Sequence, residues 1–117
     1  MDNARERRLT NAKIEIQSAY TILEQIQTSS KSFDEYKLDL WKARSRLELA
    51  ILLIKLAANI DHEDRRRLFI LRDEPHTLLN KAKEMLCEAL KNFQNINTTL
   101  EKVRRVRDLL LLLETSV

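Results

Sequence analysis

The chain has 117 residues with no Gly, one Pro, one Cys, one Trp, two Tyr and three Phe, and a third of it is charged. The missing Gly excludes a phosphate-cradling Gly loop, a dinucleotide fingerprint and the positive-φ hairpin turns of an all-β fold. A single Cys excludes an internal disulfide framework and a multi-Cys zinc site. Lys plus Arg is 21 against 18 Asp plus Glu, a net charge of +3 that permits an acidic or nucleic-acid partner without requiring one.

Residues 1–117 suit one domain. The charged start, Met1 to Arg8, is not followed by the apolar run of a secretory signal. The most apolar stretch, Leu49 to Ile60, contains Lys55 and falls short of the ~20 residues that span a bilayer. With Cys87 as a lone thiol, these features lead to the expectation of a soluble cytoplasmic protein with no membrane role.

The apolar residues recur at helical spacing. Leu9, Ala12, Ile16, Ala19, Leu23 and Ile26 step by threes and fours, which places them on one stripe of a helix A near 3–27. Asn3 and Glu6 offer a cap at its start. A polar connector, Thr28 to Ser32, follows.

Ser32 and Glu35 have the spacing of a capping box, which opens helix B near 32–60. Its main stripe runs Phe33, Tyr36, Leu40, Ala43, Leu47, Ala50, Ile54 and Ala57. Its second half carries another seam, Leu49, Leu53, Leu56 and Ile60. A helix apolar nearly all round sits centrally or faces a second chain.

Asp61, Glu63 and Asp64 read as the acidic start of a short helix C near 62–73. Pro75 suits the first position of helix D, where its missing N–H costs nothing. Helix D carries Leu79, Ala82, Leu86, Ala89, Phe93 and Ile96. The pattern continues to Leu100 and Val103, then slips by three residues to Val106, Leu110, Leu113 and Val117. The Asn-Thr-rich stretch 95–99 and the Thr98/Glu101 capping box favour a break there and a fifth, C-terminal helix E. The expected architecture is an all-α antiparallel bundle of three long helices, a short connecting helix and this fifth helix. Alanines seven residues apart in A, B and D let helix axes approach closely. Their irregular spacing along the chain speaks against a tetratricopeptide array.

No catalytic constellation emerges, and the chain reads as a non-enzyme. His62 and His76 lack the His-Glu-x-x-His and Glu-x-x-His spacings of metal helices, so no metal and no cofactor is expected. Cys87 has no His at helical spacing to activate it. Lys102, Arg104, Arg105 and Arg107 read as a solvated face, with 104, 107 and 108 on one side of the helix.

Two function classes remain. The first is an interaction protein, adaptor or small subunit. It would self-associate or bind a protein partner through the seam Leu49, Leu53, Leu56 and Ile60, or through the stripe Leu109, Leu110 and Leu113. The second is a nucleic-acid-binding accessory protein. In an up-down bundle the starts of A and D and the end of B share one end, which would gather Arg5, Arg7, Arg8, Arg65, Arg66, Arg67 and Arg72 into a basic pole.

Overall fold

The computed structural model describes residues 3–29, 33–60 and 74–115. These form four α-helices and no strand: α1 (Asn3–Thr28), α2 (Lys37–Ala58), α3 (Pro75–Lys91) and α4 (Ile96–Thr115). The short helix expected near 62–73 lies outside the described residues.

Each helix buries the stripe that its 3–4 spacing lays along one side. Ala12, Ile16, Ala19, Leu23 and Ile26 of α1 are inside, with Leu40, Ala43, Leu47, Ala50 and Ile54 of α2, Leu79, Ala82, Leu86 and Ala89 of α3, and Leu100, Val103, Val106, Leu110 and Leu113 of α4. Ala alternates with larger residues along three of these stripes. The small side chains allow close approach and the large ones fill the layers between.

Four cross-helix contacts fix the arrangement. Lys83 of α3 meets Gln27 near the end of α1, while Phe93, just past α3, lies under Lys13 near its start. Helices α1 and α3 are therefore antiparallel. Arg44 of α2 meets Glu114 of α4, and Glu48 meets Arg107, so α2 and α4 are antiparallel as well. The main helix pairs are α1 with α2, α2 with α4, α4 with α3, and α3 with α1. The order around the core is thus α1, α2, α4, α3.

This order corrects the sequence-based placement of the ends. The start of α3 lies by the end of α1, not by its start, because α3 runs antiparallel to α1. The end of α2 and the start of α3 therefore stand at opposite ends of the molecule. Short-connection topology would have put them together.

The helix ends show how a chain without Gly is punctuated. Asn59 takes the left-handed conformation at φ 60° after α2. Asn is the residue that tolerates this region best after Gly. Ile60 N–H then reaches back to Lys55 O at 2.9 Å, the bond of a Schellman-type ending. Helix B thus stops at Ala58, short of 60. Its α-helical start is also later than expected, since a 3-10 turn, Phe33–Tyr36, precedes Lys37. Ser32, half of the expected capping box, lies outside the described residues, and α1 already contains Asn3 in its first turn.

Pro75 occupies the first turn of α3, where it was expected. The break after α3 falls at residues 92–95, earlier than the Thr98/Glu101 pair suggested. Asn95 is the cap of α4: its Oδ1 accepts from Thr98 N–H at 3.3 Å. Thr98 and Thr99 are already helical, and the buried Thr99 hydroxyl donates to Asn92 O at 3.1 Å, tying the corner together. The three-residue slip at Val106 is absorbed inside α4.

Candidate interaction surface

Helix α2 is not central. It touches α1 on one side and α4 on the other, and its outer face meets solvent. That face is apolar. Leu38, Trp41, Leu49, Leu52 and Leu56 are each between 41% and 61% exposed. At 100° per residue these five, with Ser45 among them, fall in a sector about 80° wide, centred about 180° from the buried stripe. They span about 27 Å along the helix at 1.5 Å per residue.

Large apolar side chains scattered singly on a surface need no explanation. Five on one face at helical spacing, broken only by the small Ser45, are different. Together they form a patch on the order of 500 Å², within the range at which the largest patch of a monomer is commonly functional. Among the described residues only one other large apolar side chain is so exposed, Ile14 on the outer face of α1.

The sequence-derived seam overlaps this stripe in two residues, Leu49 and Leu56. Leu53 and Ile60 turn toward the core and are partly buried against it. Leu38, Trp41 and Leu52 were missed. The signal was present, because 38, 41, 45, 49, 52 and 56 follow the same 3–4 spacing as the core stripe. It was hidden because Leu38 and Trp41 lie in the more polar first half of the helix, and Ser45 interrupts the run.

The second proposed stripe is corrected outright. Leu109, Leu110 and Leu113 are 5% exposed or less and belong to the core of their own chain. They pack inward because α4 is enclosed between 106 and 110, where all five consecutive residues are buried. Arg107 and Asp108 are among them, which also corrects the expectation of a solvated face there. Arg107 Nε donates to Asp108 Oδ1 at 3.1 Å and lies 3.7 Å from Glu48 Oε1 of α2. A buried guanidinium is tolerated when carboxylates neutralise it. Arg105, by contrast, is exposed and pairs along the helix with Glu101 at 3.8 Å.

The flanks of α2 are polar and largely engaged. Arg44 forms a two-pronged pair with Glu114, whose hydrogen bond and charge raise the guanidinium pKa further. Arg46 pairs with Glu15 of α1 at 3.2 Å. Lys37 and Lys42 are exposed near the start of the stripe, one on each side of it.

The other seams are structural in character. Between α1 and α3, Lys83 Nζ lies 5.4 Å from the Tyr20 ring centre and donates to Gln27 Oε1 at 2.7 Å. The neighbouring Cys87, and then partial burial, raise the Tyr20 phenol pKa. Of the expected basic pole, Arg5, Arg7 and Arg8 are exposed on the first turns of α1, whereas Arg65, Arg66, Arg67 and Arg72 lie outside the described residues. His76 is exposed at the start of α3. Among the described residues no three His, Cys, Asp or Glu side chains gather as a metal site, and no helix is long and apolar enough to cross a membrane.

The chain matches no family model, no curated protein and no solved structure. The class defined by fold and surface is therefore an all-helical protein with a two-faced α2.

Proposed function

We propose that this protein is a non-catalytic helical interaction module, and that the outer stripe of α2 is the surface it uses. The observation that carries the reading is the line Leu38, Trp41, Leu49, Leu52 and Leu56, broken by the small Ser45, on the side of α2 opposite the core. Burying such a line stabilises a complex by roughly 25 cal/mol for each Å² of apolar surface removed from water, before the costs of association. The mode is helix-on-helix docking, with anchors at helical spacing. Trp41 is the large aromatic anchor that such interfaces favour at their energetic centre.

The test is a photo-crosslinking amino acid placed at position 52 in the producing cell. A discrete covalent adduct that disappears when Leu49→Lys is added supports the reading. Monomer alone after irradiation at position 52 overturns it.

A further inference from the structure

We propose that the notch between the start of α1 and the α3–α4 corner is a binding site for a small aromatic monocarboxylate. The site is independent of the α2 stripe and goes beyond the interaction reading above.

Unequal helix lengths make the notch. Phe93, just past the end of α3 at Lys91, lies under Lys13 of α1. Helix α1 begins well before Lys13, at Asn3. At 1.5 Å per residue its first turns run past the corner by about 15 Å, where α3 has already ended. Arg5, Leu9 and Lys13 follow one another at intervals of four along the flank of α1 that faces α3. The overhang and the corner enclose a cleft of about 580 Å³. That volume falls within the roughly 300–1,000 Å³ of small-molecule sites.

The floor of the cleft is apolar. Leu9, Phe93 and Ile96 line it, and each is partly buried against the core. The Phe93 ring favours a flat aromatic body in offset or edge contact. The aliphatic stem of Lys13 adds to this floor.

The charges around the floor select the head group. Among the described lining residues are two cations, Arg5 and Lys13, and one carboxylate, Glu6. Two against one leaves a single positive charge, which matches one carboxylate. Lys13 Nζ stands 5.5 Å from the Phe93 ring centre, so the ammonium is held beside the apolar floor. An apolar body seated there strips water from that ammonium. A neutral ligand leaves the cost unmet, whereas a carboxylate offsets it with a charge-assisted hydrogen bond. The Arg5 guanidinium has the planar fork that suits the same group. Glu6 opposes a second negative charge, which disfavours a phosphate dianion. The chain also has no Gly with which to build a phosphate-cradling loop.

Amide-resolved NMR of the full chain tests the site, with naphthoate as the probe and naphthamide as its neutral counterpart. Naphthoate should give saturable shifts at Leu9, Phe93 and Ile96. Naphthamide should bind the same place more weakly, on the order of tenfold, because it lacks the charged hydrogen bond. Lys13→Met keeps the apolar stem and removes the charge. It should lower naphthoate affinity toward that of naphthamide and leave naphthamide affinity unchanged, which shows that the cleft itself is intact. Three results overturn the proposal: no saturable shift at the cleft, shifts confined to Leu38, Trp41 and Leu52 of α2, or equal affinity for the two probes. None of these bears on the α2 stripe as an interaction surface, which the crosslink from position 52 tests separately.

Discussion

Arg44 and Glu114 are 70 residues apart in the chain and meet across the α2–α4 seam. Arg44 Nε donates to Glu114 Oε2 and Nη2 donates to Oε1 at 3.3 Å. Both side chains are less than a fifth exposed, so the pair is sheltered from water and salt. It holds the last turn of α4 against α2 in antiparallel register. Replacing Arg44 with Ala should destabilise the fold by about 1.5–3 kcal/mol, the range for hydrogen bonds to charged groups. A double-mutant cycle with Glu114→Gln, read by urea unfolding, should return a coupling well above the roughly 0–1 kcal/mol of an exposed pair.

Leu47 and Leu52 are the same residue on the same helix, five positions apart, on opposite faces. Leu47 is fully buried and Leu52 is half exposed. In dilute solution Leu47→Ala should cost about 2–5 kcal/mol and Leu52→Ala less than about 0.5 kcal/mol. Denaturant midpoints measured over a concentration series check both values.

Asn95 closes the turn between α3 and α4 by accepting from Thr98 N–H. Asn95→Ala should cost about 1 kcal/mol and increase fraying at the start of α4. Amide exchange at Thr98 and Thr99 reads this directly. The same substitution strategy at Thr98, the residue singled out from the sequence, should have less effect on helix capping because Thr98 is already inside the helix.

Glu88 on α3 accepts from Lys102 on α4 at 2.7 Å. That hydrogen bond, and then the lysine charge, hold the carboxyl below its ordinary range. A carboxyl with a depressed folded-state pKa stabilises the fold above its unfolded value of about 4.3, and this is lost as pH falls through the folded value. Lys102→Met should move the Glu88 titration, followed by carboxyl NMR shifts, back up toward the ordinary value.

The α-helical class and most of the core were legible in the residues. Ala12, Ile16, Ala19, Leu23 and Ile26 advertise their buried face because the 3.6-residue turn converts 3–4 spacing into a stripe. Pro75 marked the start of α3 for an equally local reason, its fixed φ and absent N–H. The stripe on the far side of α2 was half legible: its spacing is written in the chain, yet spacing alone does not distinguish a second buried face from an exposed one.

What the chain encodes by itself is local: helix periodicity, breaks in that periodicity, and the exclusion of Gly-dependent chemistry. The rest depended on which helices became neighbours. Leu109, Leu110 and Leu113 read as a surface stripe until α4 was enclosed. Arg107 and Asp108 read as solvated until burial beside Glu48 made them a neutralised internal group. The helix order α1, α2, α4, α3 decided both outcomes, and it also left α2 with one face outside. Side-chain spacing fixes the direction in which a residue points on its own helix, but only the packing of distant helices determines whether water or protein lies in that direction.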